Sequence, residues 1–210
     1  MKNKSDIKPD TIHGDTQAQS TPVFALTYLL GIKLMPTIIN WKNLKAYRVD
    51  KNRKYKHIDS LFSDVIDWEL IETHWKDMLQ VVLSIKAGKI VPSTLLRKLN
   101  NYNNKNKLYL AFKELGNVIR TIFLLEYISN IEMRQQITVS TNKMESYNSF
   151  SKYFSFGGEW IISENDPDEQ EKRIKYNNLV ANAVIFKNVA DMTFILKEMS
   201  LMGLNSPRRM

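Results

Sequence analysis

The order of elements predicted in the first forty residues constrains the fold of this chain more than any other feature. The letters TIH, before Gly14 and Asp15, are typical of a short strand that ends at the aspartate. Thr21 suits a helix N-cap and Pro22 the first helical position, and the apolar run VFALTYLL leads to Gly31, which can end the helix. A second strand candidate, IKLMPTII, follows. Strand, helix and strand in this order predict an α/β element, and such folds bind ligands at their strand ends.

The character of the sequence changes at Trp41, where a basic segment, residues 42–56, begins. This segment has a single acid, Asp50, and its aromatic residues Tyr47 and Tyr55 lie between the cations. The cations are Lys42, Lys45, Arg48, Lys51, Arg53, Lys54 and Lys56. In a chain with a net charge of +8, the segment predicts a polyanionic partner, nucleic acid first and an anionic membrane surface second. Clustered cations bind phosphates and aromatic rings stack on unpaired bases, and the alternative is a solvated loop that is basic by chance.

The part after the basic segment is predicted to be mostly helical. Asp67 caps a helix that runs to Gly88, and Ser93 or Thr94 opens a short helix through Leu99. The next helix repeats apolar residues at spacings of three and four, which indicates one buried stripe. That stripe comprises Leu108, Ala111, Phe112, Leu115, Ile119, Ile122 and Phe123.

Two further helices are predicted toward the end of the chain. Residues 130–154 continue as helix, with a break near Ser140. Pro167, followed by acids, is a strong start signal for a last helix, which reaches about Met202 and ends at Gly203. The predicted architecture is therefore a small α/β beginning with a mostly helical continuation.

The composition and the apolar pattern of the chain limit the cellular locations that fit it. The chain has no cysteine, so disulfides and thiolate metal sites are excluded, and the absence fits a reducing cytosol. MKNKSDIKPD lacks the apolar core of a signal peptide. The most apolar stretch, residues 21–39, contains Pro22, Lys33 and Pro36 and is too interrupted to span a bilayer. These features predict a cytoplasmic protein without a membrane partner.

Asp15 is the first candidate for chemistry. A carboxylate at a strand end is a suitable ligand for a hard cation, because oxygen donors suit Mg²⁺ and the strand fixes their position. The alternative from the residues alone is an ordinary Asx-type turn before a helix.

Glu145 is the second candidate. Asn142, Asn148 and Ser149 surround it on one helix face, and Lys152 lies two turns further on that face. A carboxylate with a downstream lysine can hold a metal and a nearby phosphate. The alternative is a solvated surface helix.

Other polar residues carry weaker signals. Glu159, in GGEW, is a rival carboxylate whose position is less fixed because two glycines precede it. His13, His57 and His74 have no metal-ligand spacing and are interpreted as structural or surface residues.

Several long stretches, in order from about residue 8 to residue 196, are similar to one family. The pieces are HGDTQAQS.PVFALTYLLGIKLMP, INWKNLK.Y, IETHWKDMLQVVLSIKAGKI..STLLRKL, FKELGNVIRTIFLLEYIS, RQQIT..TNK.ES.N.FSK, FGGE and YNNLVANAVIFKNV.DM. On these stretches the chain resembles the C-terminal catalytic part of the transposases of class II replicative transposons, the Tn-three family.

The resemblance implies an RNase-H-like catalytic core with a DDE triad, in which carboxylates hold two Mg²⁺ ions for phosphoryl transfer at transposon ends. Asp15, in GDTQ, matches the family's second aspartate, and Glu145, in NKME, matches its glutamate, so these two are the expected catalytic and metal-binding residues. The expected DNA-binding residues are Lys42, Lys45, Arg48, Lys51, Arg53, Lys54, Lys143 and Lys152.

The expected fold is α/β, mostly helical, with a partial RNase-H-like core and a large all-helical insertion between the last core strand and the glutamate-bearing helix. The expected domains are a disordered start (1–8), a remnant of the core (9–40), the basic segment with the helical insertion (41–135), the glutamate-bearing and C-terminal helices of the core (136–203), and a tail (204–210).

In this family the first aspartate lies several tens of residues before the second, and only fourteen residues precede Asp15. We therefore expect a C-terminal part of a transposase that carries two of the three carboxylates and is inactive alone. DNA is the expected partner, together with an intact transposase or a second copy of the chain. The expected location is the bacterial cytoplasm, with the chain associated with the nucleoid when it is bound to DNA. The alternatives are a non-catalytic DNA-binding or interaction module that interferes with an intact transposase, and a decayed reading frame without a stable product.

Overall fold

The structure is a computed structural model that describes residues 9–40, 44–91, 95, 106–154 and 165–203. The chain divides into two compact units, Met1–Thr141 and Asn142–Met210. Most of the described residues are helical, as the sequence predicts for an α/β chain with a dominant helical part.

The first unit begins with the predicted strand–helix–strand element. β1 (Thr11–Gly14) and β2 (Lys33–Pro36) pair in parallel, and α1 (Thr21–Leu29) connects them. A short 3-10 helix, Thr16–Gln19, precedes α1. Ser20 is the N-cap of α1, one residue before the predicted Thr21, and Gly31 with φ 79° follows its end. The prediction for residues 9–40 is confirmed at the level of these elements.

The segment that follows differs from the expected all-helical insertion. β3 (Ala46–Arg48) and β4 (Phe62–Val65) form a second parallel pair, with a register irregularity at Ala46 and Tyr47. A second 3-10 helix, Asp59–Leu61, leads into β4. Ala46 and Phe62, which lie opposite each other in this pair, are both buried.

Three further helices lie within the described part of the first unit. α2 (Trp68–Thr73) starts at the predicted cap, where the Asp67 side chain accepts a hydrogen bond from the Leu70 amide at 3.0 Å. The predicted single helix to Gly88 is interrupted at His74, after which α3 (Trp75–Lys86) begins. α4 (Lys107–Ser129) is capped by Asn106, whose side chain accepts from the Tyr109 amide.

The core of the first unit lies between α1, α4 and their neighbours. One apolar cluster includes Leu26, Met78 and Phe112, and another includes Phe24 and Phe123. The predicted stripe of α4 is buried at Ala111, Phe112, Leu115 and Phe123, whereas Ile122 is 50% exposed, so that position of the prediction is wrong.

α4 comes close to the backbone of α1 at Gly116. A Cβ atom at this position would lie 1.8 Å from the Thr21 carbonyl oxygen. The absence of a side chain at Gly116 therefore allows the two helices to pack.

α5 (Ile131–Tyr153) begins in the first unit and extends into the second. Asn130 separates it from α4 and caps it, since the Asn130 side chain accepts from the Met133 amide at 2.9 Å. α5 is continuous through Ser140, so the predicted break at that residue is wrong.

The second unit contains the end of α5 and α6 (Pro167–Leu201). α6 begins at Pro167 with acids in its first turn, and Gly203 with φ 76° follows its end, as the sequence predicts. Asp166 is the N-cap of this helix. By length and composition α6 is apolar enough to cross a membrane, and it is the one such helix in the described ranges. One such helix is by itself weak evidence of a membrane span, and little of its apolar stretch is buried in the structure.

Some predicted features fall on residues that the structure does not describe. These are the start 1–8, the short helix up to Leu99 apart from the helical Leu95, the stretch FGGEWIIS with Glu159, and the tail 204–210.

Candidate metal and nucleic-acid sites

Asp15 lies at the carboxyl end of β1, where its side chain is exposed. Its carbonyl oxygen accepts a hydrogen bond from the Ala18 amide at 3.1 Å, which closes the turn that leads into α1. The preceding residue must be small, because a Cβ atom on Gly14 would lie 2.5 Å from the Cβ of Ala18. The backbone on both sides therefore fixes where Asp15 leaves the strand.

The end of β2 lies beside Asp15. The Gly14 carbonyl accepts from the Thr37 amide at 2.9 Å, and the side-chain amide of Gln19 donates to the Thr37 carbonyl at 2.8 Å. The hydroxyl groups of Thr37 and Thr141 are 2.7 Å apart, so α5 contacts this end of the sheet. The carboxyl ends of both strands and a helix thus meet near an exposed carboxylate.

Glu145 is exposed on α5 in the second unit, one helical turn after Thr141. Lys143 and Lys152 are exposed on the same helix. Asp15 and Glu145 belong to different compact units, and the structure defines each of them within its own unit.

The donor chemistry of these carboxylates suits Mg²⁺, which prefers oxygen ligands. In the described part of the chain, no three histidine or acidic residues come together as a group that could hold a metal ion. Among the described residues, Asp15 and Glu145 are therefore not part of a larger cluster of acidic or histidine side chains.

The predicted basic segment lies mainly in the β3–β4 loop, residues 49–61. Lys42 lies outside the described residues, and Lys45 is exposed immediately before β3. Further exposed cations in the loop are Lys51, Arg53, Lys54 and Lys56. The loop thus displays a cluster of positive charge to solvent.

Arg48 differs from these cations, because its guanidinium is bound inside the loop. Both of its terminal nitrogens donate to the Asp59 carboxylate, through Nη1 to Oδ1 and through Nη2 to Oδ2 at 3.1 Å. Nη1 also donates to the Arg53 carbonyl at 3.0 Å, and Nη2 donates to the carbonyls of Asp59 and Phe62 at 3.0 and 3.2 Å. The side chain of Arg48 is only 18% exposed. Arg48 thereby joins the two ends of the loop.

The second partner of Asp59 strengthens this arrangement. The Tyr55 amide donates to Asp59 Oδ1 at 3.0 Å. The hydrogen bonds from Arg48, followed by that from Tyr55, lower the pKa of Asp59 to about 2, and the pKa of Arg48 is raised mainly by the same hydrogen bond. We call the Arg48–Asp59 pair with its carbonyl contacts the loop clamp.

The aromatic residues of the basic segment are engaged within the protein. Tyr55 stacks on Phe62 with ring centroids 4.4 Å apart, and Tyr47 packs against the first apolar cluster. The indole of Trp68 donates to the Val49 carbonyl at 2.9 Å. Trp41 lies outside the described residues.

The sequence-based prediction did not include Asp59 among the functional residues. It is an acid beyond the basic segment, and its partner Arg48 lies eleven residues earlier in the chain. The partnership depends on β3 and β4 pairing, which the sequence did not predict, so no local signal indicates it.

Comparison with known proteins gives one consistent family. The family described as Tn3 transposase DDE domain matches residues 1–210. The transposase for transposon Tn501 from Pseudomonas aeruginosa is 31% identical over 188 residues, 90% of this chain and 19% of that protein. The transposase for transposon Tn21 from Escherichia coli is 30% identical over 188 residues, again 90% of this chain and 19% of that protein.

A third relative, the transposase for transposon Tn1546 from Enterococcus faecium, is 28% identical over 193 residues, 92% of this chain and 20% of that protein. The chain spans about a fifth of the length of these relatives. With a family match along its whole length, the chain belongs to the Tn3 transposase DDE domain family.

Proposed function

We propose that this chain is the C-terminal catalytic part of a DDE transposase, whose full-length parent cleaves DNA at transposon ends and joins it to a target in replicative transposition. The observation that carries the proposal is the family match over residues 1–210, together with an exposed carboxylate, Asp15, at the carboxyl end of a parallel strand. Such a strand end is where α/β folds bind ligands.

Asp15 and Glu145 are the proposed catalytic and metal-binding residues. When bound, Mg²⁺ ions supply the activation of water and of the 3′-hydroxyl and the stabilisation of the leaving oxygen. Two carboxylates are fewer ligands than the family's triad, so we propose that this chain alone does not cleave DNA. The fold proposed for the parent is an RNase-H-like core built from residues 9–40 and 136–203, with residues 41–135 as an insertion, and the parallel pair of β1 and β2 supports it.

DNA is the proposed partner of the basic surfaces, in the cytoplasm of a bacterium. Exposed cations of the β3–β4 region and of α5 support this part of the proposal. They are Lys45, Lys51, Arg53, Lys54, Lys143 and Lys152, and Lys42 is proposed from the sequence alone.

A chimera tests the carboxylate assignment. Residues 9–203 replace the matching fifth of the Tn501 transposase, and transposition is measured in cells with Asp15→Asn, Glu145→Gln and the matched control Glu132→Gln, an exposed acid on α5. We expect both proposed variants to abolish transposition and the control to preserve it. A chimera that transposes equally well with all three substitutions contradicts the assignment.

The purified chain tests the proposed inactivity. We expect no nicking of DNA that contains transposon ends in the presence of Mg²⁺. Nicking that disappears with Asp15→Ala would show that the chain is itself an active nuclease.

The exposed surface of α6 favours a second candidate function, an interaction module that pairs with a second copy of the chain or with an intact transposase carrying the same helix. Large apolar side chains of this helix are more than half exposed, among them Phe186 at 76%, Val189 at 57% and Met192 at 62%. Apolar surface of this extent is unfavourable in water and is characteristic of interaction sites.

Sedimentation of the purified chain tests this second function. We expect self-association that Phe186→Glu combined with Phe194→Glu abolishes, whereas Leu83→Glu, at an equally exposed apolar site of the first unit, has no effect. A monomeric chain, or association that the double substitution leaves unchanged, contradicts the module.

A further inference from the structure

We propose that the loop clamp makes the β3–β4 loop a preformed phosphate-binding surface, in which Arg48 and Asp59 are positioning residues and the exposed cations contact the backbone of duplex and single-stranded DNA alike. The inference rests on the proposed function for DNA as the ligand. It goes beyond that function by assigning Arg48 an internal role, by adding Asp59, and by specifying which feature of DNA the loop recognises.

The first step of the argument is the geometry of the clamp. Arg48 lies at the end of β3 and Asp59 lies just before β4, and their bidentate contact joins the two ends of the loop. The Arg53 carbonyl, in the middle of the loop, is held by the same guanidinium. A planar guanidinium has five donors in a fixed fork, so it holds several loop atoms at once, which a lysine ammonium cannot reproduce.

The second step is the local structure of the loop tip. The Asp50 side chain accepts from the Asn52 amide at 2.9 Å, and the Asp50 carbonyl accepts from the Arg53 amide at 3.1 Å. These bonds form a turn that presents Lys51 and Arg53 from a defined backbone. Because less ordering is needed on binding, a preformed loop binds a ligand with a smaller loss of entropy.

The third step is the balance of charge. Asp59 neutralises Arg48, so the charge that faces solvent in the loop comes from Lys51, Arg53, Lys54 and Lys56 against Asp50. The groups that bind DNA phosphates are cations of this kind, and phosphate contacts carry no sequence information.

The fourth step concerns the type of strand. Preference for single strands arises from stacking of bases on aromatic rings. The ring of Tyr55 is stacked on Phe62, and Tyr47 is packed against the core. The described tyrosines of the segment are therefore occupied, and the phosphates, which both forms of DNA share, remain as the target.

Fluorescence anisotropy with the purified full chain tests the inference. The probes are a short labelled duplex and one of its strands, each titrated over a range of salt concentrations. Phosphate contacts from the four exposed cations of the loop contribute about −3.6 for the duplex and about −2.8 for the single strand to the slope of log K against log salt. We expect Lys51→Ala and Lys54→Ala each to reduce the duplex slope by about 0.9.

Asp59→Asn separates a positioning role from simple electrostatics. The substitution makes the protein more positive, so charge alone predicts tighter binding. If the clamp positions the loop, Asp59→Asn instead weakens binding and reduces the salt slope, and Arg48→Lys does the same although it keeps the charge. Asp64→Asn, at an exposed acid on β4, is the control for the change in charge and is expected to bind DNA at least as tightly as the unchanged protein.

The outcomes distinguish the inference from the proposed function. Tighter binding by Asp59→Asn overturns the positioning role but leaves DNA binding in place. A strong preference for the single strand overturns the assignment to phosphates. Absence of binding to both probes at low salt overturns the inference and also the DNA-binding part of the proposed function, whereas the carboxylate assignment is tested separately by the chimera.

Discussion

The two compact units of this chain differ in what their side chains bury. The first unit encloses apolar residues such as Phe24, Met78, Phe112 and Ile137 almost completely. In the described part of the second unit, the buried side chains are Ser151, Asn177 and Ala181, and long stretches of α6 expose apolar residues.

This difference indicates two sources of stability. Burial of large apolar side chains stabilises the first unit, because each contributes about 1.5–3 kcal/mol. The second unit depends on helix formation and on a few polar contacts, such as the hydrogen bond from the Asn177 side-chain amide to Ser151 Oγ at 2.7 Å. We therefore expect the first unit to unfold cooperatively by itself and the second unit to open at a lower free energy.

Phe112→Ala is expected to reduce the free energy of unfolding more than the other substitutions, and it tests the difference in burial between the two units most directly. Phe112 is 1% exposed in α4, so its truncation should reduce the free energy of unfolding by about 3–5 kcal/mol. Phe186→Ala removes the same atoms from a site that is 76% exposed, and at protein concentrations where the chain is monomeric it should change the free energy of unfolding by less than about 0.5 kcal/mol. Urea unfolding followed by circular dichroism measures both, and equal effects would contradict the distinction between the units. A broad, non-cooperative urea transition of the unchanged chain would favour the alternative of a decayed reading frame without a stable product.

Gly116→Ala tests how closely the first unit is packed. The added methyl group would meet the Thr21 carbonyl, which belongs to the backbone and cannot rotate away. α1 and α4 must therefore separate, at a cost of about 1–3 kcal/mol that outweighs the gain of up to about 1 kcal/mol in helix propensity. Thermal unfolding is the measurement. The exposed substitution Ser146→Ala on α5 is the control, and an increase in stability with Gly116→Ala would show that the helices are loosely packed.

Asn177→Ala tests the polar contact of the second unit. The side-chain amide of Asn177 donates to the hydroxyl and the carbonyl of buried Ser151, so its loss should cost about 1–3 kcal/mol locally. Hydrogen exchange should show lower protection of the amides in α6 and unchanged protection in α4. Asn188→Ala, at an exposed site of α6, is the control. A uniform loss of protection in both helices would mean that the chain unfolds as one cooperative unit.

The sequence predicted those parts of the fold that depend on local signals. Gly31, Asp67 and Gly203 mark helix ends because a positive φ or a side-chain cap is required there, and the structure places them at those ends. The strand–helix–strand order at the start of the chain was predicted from the same kind of local signal.

Prediction from the sequence failed where contacts between residues far apart in the chain determine the structure. β3 and β4 pair across a loop whose ends are joined by the contact between Arg48 and Asp59, which no residue pattern within either strand reveals. The exposure of Ile122 depends on which neighbours cover α4, and periodicity alone cannot show this. For the candidate site, the sequence predicted the position of Asp15 at a strand end, and the internal role of Arg48 emerged only from the structure.

The smallest expected effect concerns the pH dependence of the loop clamp in the first unit. The pKa of Asp59 is about 2, below the ordinary value of 3.8, because Arg48 and the Tyr55 amide bind its ionised form. A carboxyl group whose pKa is lower in the folded state contributes stability that is fully present above 3.8 and is lost as the pH falls through about 2. The clamp should therefore remain unchanged from neutral pH down to 3.8 and open only below it.

An NMR titration of the Tyr55 amide reports this transition, because the amide donates to the Asp59 carboxylate. We expect the midpoint near 2, and we expect Asp59→Asn to remove the transition. A midpoint near 3.8 would mean that the clamp does not hold the ionised carboxylate in solution. The first unit would then contain an open, solvated loop, and its basic cluster would resemble the exposed cations of α5 rather than a preformed surface.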